Sequence, residues 1–246
     1  MSEPGTVGSG IQLQTVLRFV DIAVDALAGA REEIDALNVY PVPDGDTGTN
    51  LYLTMAAARD AVREKAATVG EDRGALFEAF TRGALLGARG NSGVILSEML
   101  RAIIRRIAEA QPDERNGAVM VDALRRATEA SYAAVGAPVE GTMLSVCRAA
   151  SEAAADLLAG DPAVRSRDVL TTSAAAARVA LARTPDQLKA LRDAGVVDAG
   201  GRGVVVILDA AACRWRLAVA SRSPTSVGRA WPRPAPTWSW AGRRTR

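Results

Sequence analysis

Histidine is absent from the 246 residues, cysteine and lysine occur twice each, and phenylalanine and tyrosine three times each. Each shortage excludes something. Without histidine there is no Ser-His-Asp triad, Cys-His dyad, histidine base or His-rich zinc site. If a metal works here, oxygen ligands hold it, which favours a hard ion such as Mg²⁺. Cys147 and Cys213 are far apart, give no disulfide framework and suit a cytosolic protein. They read as a small buried apolar residue and an incidental one. The few aromatics, with no sustained alternation of apolar and polar residues, argue against a β-sandwich. No run reaches the roughly 18 apolar residues of a membrane span. The first ten residues, MSEPGTVGSG, are polar and carry Glu3, unlike a signal peptide. A cytoplasmic protein is expected.

What is present is helix-forming text. Hydrophobic residues make up 48% and charged residues 24%, the balance of a soluble globular chain with one sizeable core or two small ones. Leu13, Val16, Leu17, Val20, Val24 and Leu27 form an i, i+3, i+4, i+7 stripe that is expected to stop near Gly29. A second long helix is expected after residue 49, and others around 73–87, 92–110, 117–135, 142–159, 167–182, 185–194 and 202–212. The fold class is all-α, an antiparallel bundle of eight or nine helices joined by short Gly/Pro/Asp loops.

The charge is uneven. The formal net charge is +2, yet no acid follows Asp209, while eight arginines do; setting these aside leaves 22 basic residues against 28 acids, about −6 over residues 1–209. All four tryptophans lie in the same stretch. Three readings of residues 213–246 stay open: a disordered extension, a basic nucleic-acid arm, and a shifted reading frame of GC-rich DNA. The tail assigns no function, and no nucleic-acid partner is expected. The organisation expected is a flexible N-terminus over 1–10, a helical domain over 11–212 and this tail.

One stretch departs from the helical text, "NVYPVPDGDTGTNLYLTM" at residues 38–55. Pro41 and Pro43 forbid helix and bias their predecessors to extended geometry, and Gly45 permits a sharp turn. Asp44 and Asp46 can therefore converge, and like charges so placed repel unless a cation sits between them. Thr47, Gly48, Thr49 and Asn50 follow at a helix start, where backbone N–H groups attract anions. An ordinary Asx turn with a threonine cap is the plainer alternative. An EF-hand is excluded because Met55 occupies the twelfth loop position. A dehalogenase-type phosphatase motif is excluded because Thr47 precedes Gly48 and the preceding residues make a poor central strand.

Three more helix starts share this character. "GARGNSGVILSEML" offers Asn91 and Ser92 among glycines, without the lysine of a Walker loop. "GTMLSV" places Met143 where it packs either in the core or on a flat ring, and "GVVDAGGRG" places Asp198 before three glycines. If these four ends meet on one rim, they form an anion-accepting mouth.

Taken in order, the four strings resemble the nucleotide-binding domain of the dihydroxyacetone kinase L-subunit (DhaL) family over about residues 11–212, with wording closest to the N-terminal domain of the bacterial fatty acid kinase A subunit. The resemblance implies an antiparallel eight-helix barrel with ATP bound at one end, and Asp44 and Asp46 holding two Mg²⁺ ions as the catalytic metal site. Asn38 stands where the dihydroxyacetone kinase branch has a third metal-binding aspartate. Thr47, Gly48, Thr49, Asn50, Asn91 and Ser92 would line the phosphates; Met143, Asp198, Ala199 and Gly200 would border the nucleoside, and Arg183 would contact the nucleotide. It also implies a partner, either a fatty-acid carrier subunit or the dihydroxyacetone-binding K subunit, whose substrate-bearing histidine this chain cannot supply. Fatty acid kinase A subunits continue beyond this domain. A homodimer, and a truncated or regulatory module without catalysis, stay open.

Overall fold

The computed structural model describes residues 11–220, with side chains to residue 212. The readings of residues 1–10 and of the tail's end lie outside the described residues. Eight long helices carry the fold: α1 (Leu13–Ala36), α2 (Thr47–Val69), α3 (Arg73–Gly87), α4 (Gly90–Glu109), α5 (Asn116–Ala133), α6 (Met143–Gly160), α7 (Ser166–Ala182) and α10 (Ala199–Ala220). Two short ones, α8 (Thr184–Gln187) and α9 (Lys189–Ala194), lie between α7 and α10. Among the described residues no strand occurs, and none of the helices is long and apolar enough to cross a membrane.

Successive long helices pack on one another, and α10 packs on both α7 and α1, which closes the ring. This is the all-α antiparallel arrangement that the periodicity predicts. Contacts of α2 with α4 and of α10 with α6 fill the middle. One apolar cluster joins α1–α4 and another α4–α7 with α10, and Ile103 and Met120 pack against both.

Three elements differ from expectation. Helix α1 does not stop near Gly29 but runs seven residues further to Ala36. An interior glycine costs about 1 kcal/mol relative to alanine, but Ala30 and Ile34 beyond it are buried, and burying an isoleucine contributes roughly 1.5–3 kcal/mol. The segment expected as one helix over 185–194 breaks at Leu188, whose backbone is extended. Helix α10 also begins at Ala199 and continues through residue 213 to Ala220.

Because the long helices alternate in direction, α2, α4, α6 and α10 all start at one end of the ring.

Candidate functional site

The turn between α1 and α2 is held by a buried amide. Asn38 Nδ2 donates to the Val42 carbonyl (3.0 Å) and to Asp44 Oδ1 (2.6 Å), while Asn38 Oδ1 accepts from Thr47 Oγ1 (2.6 Å). One side chain thus ties both limbs of the turn and aims Asp44. Gly45 has φ +67°, the left-handed conformation that the turn requires. Asp46 occupies the N-cap position of α2, yet its carboxylate makes no capping hydrogen bond and stays available.

The α2 start is also set from behind. Asp35, which the longer α1 brings into place, accepts from the Thr49 N–H (3.0 Å) and from Thr49 Oγ1 (2.8 Å). A Cβ on Gly48 would collide with the Arg31 carbonyl and stand 2.9 Å from Ile34 Cβ, so glycine is what lets the two helices cross this closely. At α4, Gly90 adopts φ +56° and its backbone abuts the Asn50 amide; Arg89, the N-cap residue, supplies no capping side chain.

These helix starts meet those of α6 and α10 around one open cleft of about 330 Å³. Its lining combines polar residues, Asn38, Asp44, Asp46, Thr47, Asn50, Asn91, Ser92 and Asp198, with apolar ones, Ile95, Val135, Val139, Met143 and Leu144, and with Gly200. The remaining residues of interest fall elsewhere. Gly48 and Thr49 face α1, Ala199 is 4% exposed behind the wall, and Arg183 borders a separate depression with Arg148 and Glu152. The structure adds Asp35 and the apolar loop before α6. Their signals in sequence are weak, because none is polar and unusual in its own local context.

Three carboxylates line this cleft, and no lysine or arginine does. Among the described residues no three His, Cys, Asp or Glu side chains converge as a metal cage. Magnesium commonly takes one or two protein carboxylates and completes its shell with phosphates and water. The carboxylates of Asp44 and Asp46, supported by Asn38, fit such an ion, and a bare triphosphate would meet no positively charged side chain among the lining residues. The open N–H groups at the starts of α2 and α4 suit phosphate oxygens.

Asp198 differs from the other two acids. Burial pushes its carboxyl up to about 6, against the opposing pull of the Gly201 and Met143 N–H groups. Its Oδ2 accepts from the Gly201 N–H at 2.7 Å, capping α10, and its own N–H donates to the buried Thr184 hydroxyl at 3.1 Å. It therefore shapes the wall as well as facing the cleft.

A family model described as the DAK2 domain matches residues 41–213. A Staphylococcus epidermidis protein described as uncharacterized is 38% identical over 194 residues, 78% of this chain and 34% of that protein. An uncharacterized Staphylococcus aureus protein is 36% identical over 195 residues, with the same shares covered. The chain thus spans about a third of the length of these curated relatives. Two crystal structures of the dihydroxyacetone kinase of C. freundii share the fold. The complex with AMP-PNP and Mg²⁺ gives a TM-score of 0.55 at 21% identity, covering 87% of this chain and 37% of that one. The native form gives 0.56 at 22% over the same shares.

Proposed function

The chain belongs to the DAK2 domain family, and from that premise we propose that it is the Mg-ATP-binding phosphotransferase domain of a two-component kinase, passing the γ-phosphoryl group to a fatty acid held by a partner carrier protein. The observation that carries this reading is the meeting of four helix starts and the Asp44/Asp46 pair around one cleft that has no cationic side chain.

In this reading Asp44 and Asp46 hold two Mg²⁺ ions against the triphosphate, and Asn38 fixes the direction of Asp44. The metal supplies neutralisation of the charge on the transferring group. Thr47, Asn50, Asn91 and Ser92, with the neighbouring backbone N–H groups, orient the phosphates. Met143 and the Asp198–Gly200 turn border the nucleoside, while Thr49 and Gly48 set the height of α2 through Asp35 and α1. Phosphoryl transfer needs positioning and charge neutralisation rather than a histidine, which suits the residue inventory.

The fatty-acid assignment follows the wording of the motifs. The shared fold with a dihydroxyacetone kinase favours a second acceptor, dihydroxyacetone on a K-type subunit. Titration calorimetry with Mg-ATP, beside Asp46→Asn, tests the nucleotide site; wild-type binding that the variant loses is expected. Absence of wild-type binding would leave an interaction module without nucleotide. The acceptor is read by transfer of labelled phosphate to a carrier-bound fatty acid or to the loaded K-type subunit.

A further inference from the structure

Behind the nucleoside wall of the cleft lies a cluster of polar side chains that the phosphate chemistry does not use. Residues 134–142 join α5 to α6 without helical structure of their own, and Val135, Ala137 and Val139 of this loop line the cleft. Glu140, in the same loop, is not among the lining residues. Its Oε1 accepts from Tyr132 Oη of α5 (3.0 Å) and Arg148 Nη1 of α6 (2.7 Å), and its Oε2 from Arg148 Nη2 (2.7 Å) and Ser145 Oγ (2.6 Å). Ser145 Oγ in turn accepts the Gly141 N–H at 2.8 Å. The Arg148 guanidinium also covers the Tyr132 ring, 5.7 Å from its centre.

A single exposed ion pair holds little. Here the guanidinium fork meets the carboxylate with two parallel bonds, the geometry that fixes direction as well as distance. Two more donors complete the carboxylate, and they come from both helices that the loop connects. Burial pushes the Glu140 carboxyl up, but the Arg148, Ser145 and Tyr132 donors outweigh it and hold the group below the usual range. On the far side Gly141, at φ +80°, leaves no room for a side chain: a Cβ would lie 2.9 Å from Leu188 Cβ. The loop is pinned at its C-terminal end from two directions, next to Met143.

We propose that Glu140 and Arg148 are positioning residues for nucleotide binding: their bidentate pair, closed by Tyr132 and Ser145, presets the 134–142 loop as the apolar wall that receives the base. This rests on reading the cleft as the Mg-ATP site. Preorganisation of that kind contributes to the base-dependent share of affinity and leaves the phosphate share alone.

The experiment measures binding of Mg-ATP and of Mg-tripolyphosphate, which has phosphates and no base, to the full chain and to Glu140→Gln, Arg148→Met and Arg148→Lys. Glu140→Gln and Arg148→Met are expected to weaken Mg-ATP about tenfold and to leave Mg-tripolyphosphate within about twofold. Arg148→Lys keeps the charge but loses the bidentate fork and the cover on the Tyr132 ring, so it is expected to weaken Mg-ATP nearly as much as Arg148→Met. Hydrogen exchange without ligand is expected to speed up at the amides of residues 135–142 in the first two variants and not in α2 or α10. Equal loss for both ligands, unchanged Mg-ATP affinity, or unchanged loop exchange overturns the positioning role while the nucleotide reading stands. Failure of the wild type to bind Mg-ATP overturns both.

Discussion

The two ends of the helical ring are built from the same eight helices and could hardly differ more. At one end lies the open cleft of about 330 Å³ with its three carboxylates; at the other lies an apolar cavity of about 120 Å³, walled by residues such as Phe19, Phe80, Leu100, Ile104, Met120 and Leu170. Each end has four helix starts, so backbone N–H groups alone do not make a ligand site. What separates them is side-chain size. Glycine, serine, threonine and asparagine stand at the starts of α2 and α4, whereas the other cavity is walled by larger apolar side chains such as Ile11, Phe19 and Ile107. Charge follows the same division. Next to the apolar end, the buried Arg106 is held by both Glu114 and Asp122. At the cleft, Asp44 and Asp46 have no basic partner among the cleft-lining residues.

The contrast breaks most sharply at the cleft. Replacing Asp44 and Asp46 together by asparagine is expected to weaken Mg-ATP binding at least about 1000-fold, ~4 kcal/mol. Thermal stability should hold or rise, because two unpaired like charges are removed. Chelating the metal with EDTA should reproduce the loss in the wild type. Calorimetry and a melting curve read both.

The opposite outcome is expected at the apolar end. Leu100→Ala enlarges a void that already exists, so its cost falls toward the upper part of the usual range, about 4 kcal/mol. Denaturant unfolding should show that loss, with Mg-ATP affinity of the folded protein unchanged. A matching loss of affinity would mean that the two ends are coupled.

Asp198 sharpens the comparison through pH. Its folded carboxyl titrates at about 6, above its unfolded value. Between about pH 4 and 6 the unfolded state therefore releases a proton that the folded state keeps. Stability from this group is full below that window and is lost as pH rises through it, by about 3 kcal/mol. Asp198→Asn, which can still cap α10, should flatten that part of the stability profile relative to the wild type. The smallest effect belongs to the apolar end: Asp72 caps α3 by accepting from the Ala75 N–H at 3.1 Å. Asp72→Ala is expected to cost about 1 kcal/mol in unfolding measurements and nothing in nucleotide affinity.

Much of this was legible without coordinates. Helices α2 to α7 lie close to where their apolar periodicity puts them, since that pattern is written in neighbouring residues. The acidic turn was legible for the same reason: proline and glycine restrict φ and ψ wherever they stand. Reading failed where the outcome depended on distant contacts. Gly29 looks like a stop signal, and only the burial of Ile34 shows that α1 passes through it.

By itself, then, the sequence determined the helices, the four small-residue helix starts and the lack of any nitrogen or sulfur ligand set. Those properties come from local backbone geometry and from composition. Ring closure decided the rest. It placed Asp35 behind Thr49, left Arg183 beside Arg148 and Glu152 rather than among the cleft-lining residues, and hid Ala199 in the wall. Such side chains acquire their roles only when one helix docks on another, because nothing in a local stretch specifies which other backbone will lie beside it.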